Sequence, residues 1–194
     1  MTAEGLRVLV ADEDRESLDR LAGLLGALGH TVCAYAVRVS EVAEKVATDD
    51  PDVSMVVLHH DDDHALALIE EICAYATGPV IALTQAEDPE FTASAADRGI
   101  AAQAKPDDPD AVQSAIEVSL RRQAEIERLE QKVDQLEGAL ARRAVIERAK
   151  GILMERHGVD DRTAFERLRT HARTERRRVV DVAGAVADGE LELP

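Results

Sequence analysis

Five short aliphatic runs recur through the first 120 residues, each followed by a stretch whose apolar residues return at helical spacing. The runs are LRVLVA (6–11), TVCAYA (31–36), VSMVVL (53–58), PVIALT (79–84) and IAAQA (100–104). After the first, Leu18, Leu21, Leu25 and Leu28 make one stripe; further helices are predicted around 39–47, 64–76 and 88–98, and another from about 108. Strands that are apolar at nearly every position must be covered on both faces. The alternation therefore predicts an α/β domain over residues 1–120, a five-stranded parallel sheet with helices on both sides and right-handed crossovers.

The pattern then changes. From Ala115 no Pro or Gly occurs until Gly138, and Ile126, Leu129, Val133, Leu136 and Leu140 recur at alternating spacings of three and four. That is a heptad seam, which predicts a coiled-coil helix over 121–140 and a parallel homodimer; a single helix lying along its own domain is the competing reading. Beyond it, residues 141–190 read as a small all-α module. Three short helices are expected, about 139–156, 161–173 and 177–187, with Gly158 as a stop and Asp160 or Asp161 as the next cap. Their common core is expected from Ile146, Ala149, Leu153, Ala164, Phe165, Leu168, Ala172, Val179, Val182 and Ala183.

Charge divides the chain the same way. The formal net charge of −16 would argue against a nucleic-acid partner if it were evenly spread. Residues 1–120 hold 7 Lys and Arg against 24 Asp and Glu, a balance of −17, whereas residues 138–178 hold 12 against 6, a balance of +6. An acidic module precedes a basic one. Trp is absent, with two Tyr and two Phe, so aliphatic side chains fill the core and few rings remain for stacking on bases. Cys33 and Cys73 are too few and too far apart for a disulfide framework or zinc site, and read as reduced core thiols. No apolar run is long enough for a membrane span, and the N-terminus lacks a signal-peptide pattern, which predicts a cytoplasmic protein without a membrane partner.

Functional groups of an open parallel sheet gather at the carboxyl ends of its strands. There the sequence places Asp12, Glu13 and Asp14 after the first strand, Thr84 at the end of the fourth and Lys105-Pro106 after the fifth. Over residues 6–120 this resembles the flavodoxin-like receiver domain of response regulators. The resemblance implies that Asp12 and Glu13 match the Mg²⁺-holding acidic pair, and that Thr84 and Lys105 match the hydroxyl and amine that bind phosphoryl oxygens. Two positions depart from it. The phosphoacceptor position, six residues after Pro51, is Val57, and the aromatic position three before the lysine is Ala102. The departures suggest a pseudo-receiver that retains at most a weak Mg²⁺ site at Asp12 and Glu13.

The run HHDDDH (59–64) follows the third strand. It admits three readings: a metal site through His60, Asp61 and His64; a displaced phosphoacceptor at Asp61 or Asp62, with His59 as a weaker candidate; or a solvated loop. Spacing favours the loop, because the run lacks the ligand pattern of a zinc site and an extended chain advances about 3.3 Å per residue away from the expected acceptor.

ALARRAVIERAKGILMERHGVDDRTAFERLRTHARTERRRVVDVAGAV (139–186) resembles the ANTAR domain, the output module of AmiR- and NasR-type transcription antitermination regulators. Arg143, AKGILM (149–154), Gly158, AFERLR (164–169), Ala172 and VVDVAGAV carry the resemblance. It implies a dimeric, non-enzymatic regulator that binds tandem hexaloop hairpins in nascent mRNA leaders, with the RNA polymerase context or a histidine kinase as a further candidate partner. Candidate RNA contacts are Arg143, Lys150 and Gly151 on the first helix, with Arg143 and Lys150 reaching outward together, and Arg169, Arg173, Arg176 and Arg177 as a second basic edge. Gly151 costs about 1 kcal/mol within a helix, which a close approach by RNA or another helix would explain. Base stacking would fall to arginine planes, His157 or His171. The competing functions are a protein-interaction adaptor of a two-component pathway and a receiver phosphorylated at Asp61 or Asp62.

Overall fold

The structure, a computed structural model, describes residues 5–59, 63–85 and 89–194. The chain divides into two compact units, residues 1–127 and 128–194.

The first unit is the expected five-stranded sheet. Strands β1 (Arg7–Ala11), β2 (Thr31–Ala36), β3 (Val53–Leu58), β4 (Val80–Thr84) and β5 (Ala102–Ala104) are all parallel, in the order β2-β1-β3-β4-β5. That is the flavodoxin-like order, in which the chain reverses direction across the sheet at β1 and β3. Helices α1 (Arg15–Ala27), α2 (Val39–Asp49), α3 (Asp63–Tyr75) and α4 (Pro89–Asp97) connect the strands. Asp14 starts α1 by accepting a hydrogen bond from the Glu16 amide at 3.0 Å.

Alternate strand residues face opposite layers, and two cores result. Leu9 and Val56 pack with Val42 of α2 and Leu68, Ile69 and Ile72 of α3. Val8, Val10, Met55, Val57 and Leu83 pack with Leu18, Leu21 and Leu25 of α1 and with Val112 and Ile116 of α5 (Pro109–His157). Each such side chain removed from water contributes roughly 1.5–3 kcal/mol, so β3, buried at all six positions, anchors both layers. Gly78 fits where two backbones meet below β4: a Cβ there would lie 2.2 Å from the Asp52 carbonyl oxygen.

The second unit contains the C-terminal part of α5, with α6 (Asp161–Thr174) and α7 (Val179–Ala187). The expected helix at 139–156 is not separate, because α5 continues unbroken from Pro109 to His157. No Pro interrupts that stretch, and an interior Gly138 costs only about 1 kcal/mol, too little to stop a helix. Gly158 does stop it, in the left-handed conformation at φ +62°. Asp160 then caps α6, its Oδ1 accepting from the Thr163 amide at 2.7 Å.

One cluster holds this unit together: Ala149, Leu153, Ala164, Leu168, Ala172, Val182, Ala183 and Val186, joined by Leu193 from the tail. Ile146 and Val179 pack at its margin. Phe165 does not belong to it, contrary to expectation. It is 38% exposed, since one position beyond Ala164 is about 100° round the helix from the buried 164/168/172 stripe. Among the described residues, no helix is long and apolar enough to cross a membrane.

Candidate functional site

Sheet topology brings the receiver-type residues to one edge. Asp12 follows β1 and is 1% exposed. Its Oδ1 accepts from the Asp14 amide and from His59 Nε2, both at 2.9 Å, while its Oδ2 is buried without a hydrogen-bond partner among the described residues. His59 was a weak candidate from sequence; the structure makes it a hydrogen-bond partner of Asp12. Thr84 ends β4 opposite Leu58 and is half-buried, whereas Glu13 and Lys105 are exposed. Val57, at the expected acceptor position, is buried in the core and lines a cavity of about 540 Å³ with His59, Gln85 and Pro106.

This donor set does not fit a Mg²⁺ ion well. Hard divalent cations are held by several charged oxygens, and here one buried carboxylate already accepts from an imidazole, the second is exposed, and a valine occupies the third position. Among the described residues no cluster of three or more His, Cys, Asp or Glu could hold a metal. His60, Asp61 and Asp62 lie outside the described residues; His64 Nε2 donates to the Val37 carbonyl oxygen at 3.0 Å. Cys33 and Cys73 are free, half-buried thiols whose pKa values are pushed up by burial.

In the helical unit the basic residues separate into two kinds. Lys150 does not reach outward with Arg143: it is 8% exposed, and its Nζ lies 2.9 Å from Glu147 Oε2 and 2.5 Å from Asp161 Oδ1. These hydrogen bonds, to Asp161 first and Glu147 second, raise its pKa. Residue 150 lies next to the Ala149/Leu153 core stripe, so its stem is covered while its ammonium ties α5 to the first turn of α6. Arg178 is likewise engaged, on Asp181 at 3.0 Å.

Arg143, Arg169, Arg173, Arg176 and Arg177 are all exposed, and among the described residues none of them forms a salt bridge. Arg177 makes only a long contact, 3.4 Å, to the Asp181 carbonyl oxygen. Gly151 is exposed, and a Cβ there would meet nothing within 4 Å, so no neighbouring helix accounts for it. The heptad residues Ile126, Leu129, Val133, Leu136 and Leu140 lie along α5 and are 47–67% exposed.

The second unit has a known counterpart. Its residues 134–186 match the ANTAR domain model.

Residues 134–186 are an ANTAR domain.

The Lys150 clamp, the Asp160 cap and the free arginines all belong to that domain. A comparison with curated proteins gave no match. Among solved structures, the CheY-like receiver domain of a response regulator from Methanospirillum hungatei is 20% identical at a TM-score of 0.53, covering 63% of this chain and 98% of that one. A two-component response regulator of the LuxR family from Aurantimonas is 18% identical at 0.54, covering 61% and 86%. The REC domain of RcsB from Salmonella enterica is 18% identical at 0.50, covering 62% and 99%. At these identities the likeness is one of fold. A receiver-like fold therefore precedes the ANTAR domain.

Proposed function

We propose that the chain is an AmiR/NasR-type antitermination regulator, with a pseudo-receiver (1–120), a coiled-coil segment (121–140) and an ANTAR output module (141–190). Two copies pair along Ile126, Leu129, Val133, Leu136 and Leu140, and the paired ANTAR domains hold tandem hexaloop hairpins of a nascent mRNA. The observation that carries this reading is the set of uncommitted arginines on the ANTAR domain. Arg143, Arg169, Arg173, Arg176 and Arg177 present guanidinium forks that form no salt bridge among the described residues, in a chain otherwise strongly acidic. Such forks suit phosphates and the edges of splayed loop bases. Gly151 leaves open space beside α5 for the RNA backbone, and Lys150 contributes by fixing α6 rather than by direct contact.

The exposed heptad stripe supports pairing, because apolar side chains at this spacing are buried by interlocking with a second helix. Two tethered sites on one RNA gain avidity over one. With Val57 at the acceptor position and His59 on Asp12, control does not pass through the usual aspartyl phosphate. In this reading the protein is a regulator rather than an enzyme.

Fluorescence anisotropy with full-length protein and a tandem-hexaloop RNA tests the proposal. Tight binding that is lost on scrambling the loops and weakens steeply with salt is expected. Equal binding to the scrambled RNA, or none to either, would overturn it and favour the adaptor.

A further inference from the structure

Phe165 is the one Phe, Tyr or Trp between residues 128 and 194, and the fold leaves it 38% exposed although a nine-residue core lies one helical position away. On α6 it belongs to a row at four-residue spacing, Asp161, Phe165, Arg169 and Arg173, so these side chains share a helix face. Neither arginine forms a salt bridge among the described residues. The acidic member of the same row, Asp161, is already paired with Lys150 and does not confront an incoming anion with a bare carboxylate. Met154, one turn beyond Lys150 on α5, is also exposed, at 37%. An aromatic face, a polarizable thioether and two free guanidinium groups thus occur on the same small module. Charge selects a polyanion, and the ring selects one that offers flat, unpaired bases.

We infer that Phe165 is the platform on which an unpaired loop base of the RNA stacks, with Arg169 and Arg173 holding phosphates beside it. The inference rests on the RNA-binding reading above and names the residue that reads the loop. It replaces His157 and His171 as stacking candidates: Phe165 offers a larger apolar face than either imidazole, and His171 is half-buried.

The test uses full-length wild type, Phe165→Ala, Phe165→Leu and Phe165→Trp on the tandem-hexaloop RNA, and on a set of RNAs each carrying one abasic loop nucleotide. Phe165→Ala and Phe165→Leu are expected to bind roughly tenfold more weakly, while Phe165→Trp retains affinity. The leucine variant keeps apolar bulk without a π face, and circular dichroism checks that each variant remains helical. The salt slope should not change, since no charge is removed. At one loop position, removing the base should cost wild type about the same factor and cost Phe165→Ala nothing further.

Wild-type affinity in the alanine and leucine variants would overturn the inference and leave the RNA-binding reading standing. Equal losses for wild type and Phe165→Ala at every abasic position would also overturn it. No binding by wild type removes the reading itself, and the inference with it.

Discussion

Each unit buries one formally charged side chain among the described residues, Asp12 in the sheet unit and Lys150 in the helical unit, and they are satisfied differently. Lys150 is closed off, with two carboxylates on one ammonium. Asp12 is left open, with one oxygen shared by an amide and an imidazole and the other unpaired among the described residues. A buried charge without full compensation is costly and persists where a fold keeps a site. The sheet unit therefore keeps an incompletely compensated carboxylate at the carboxyl end of β1. In the ANTAR domain the buried cation is structural, and the exposed arginines are the ones available to a ligand.

The largest expected effect probes how small the ANTAR core is. Leu168→Ala should cost about 2–5 kcal/mol, and with so few buried residues to share the loss, the helical unit should melt while the sheet unit keeps its own transition in calorimetry. Gly78→Ala attacks the other side of the comparison. Its Cβ must displace the Asp52 carbonyl, so a loss of about 1–3 kcal/mol is expected in the sheet unit, with RNA affinity unchanged. An equal shift of both transitions in either variant would contradict the division into two units.

Lys150→Met sharpens the comparison of the two buried charges. It keeps the covered stem and removes both ion pairs, so amide exchange in the first turn of α6 should accelerate while exchange at Leu153 and Leu168 changes little. Uniform weakening of RNA binding with a shallower salt slope, and no change in exchange, would instead make Lys150 a direct phosphate contact. The smallest effect is that of pH on the helical unit. Hydrogen bonding to Thr163 holds the Asp160 carboxyl below its ordinary value, and Arg178 does the same for Asp181. Their contribution is present above about pH 4 and lost as pH falls through the depressed values. Lys150 is raised, so its contribution is present below about pH 10 and lost as pH rises through its folded value. Melting temperature should form a plateau between these limits; a maximum inside it would show another titrating group at work.

Much of the fold was legible because period and burial coincide. VSMVVL is almost wholly apolar and becomes the central strand, and the expected leucine stripe of α1 packs on the sheet through Leu18, Leu21 and Leu25. Three features were not legible. The break near 139 disappears because helix continuity depends on the absence of a stop signal, and Gly138 is too weak a one. Phe165 leaves the core because hydrophobicity does not say which of two adjacent residues faces inward. Lys150 turns inward because its partner, Asp161, lies beyond the Gly158 turn, a pairing across a loop that helical periodicity cannot display. His59 was visible only as part of an ambiguous run, and its contact with Asp12 depends on β1 and β3 being neighbours.

In the proposed regulator the ANTAR domain engages RNA without phosphorylation of the receiver-like unit. The direct measurement is the affinity of full-length protein for the tandem-hexaloop RNA before and after incubation with Mg²⁺ and acetyl phosphate, with intact mass recorded on the same samples. Tight, loop-dependent binding is expected in both, with no gain of mass under conditions that phosphorylate a control receiver. A phosphoryl-sized mass increase accompanied by a rise in RNA affinity would contradict it.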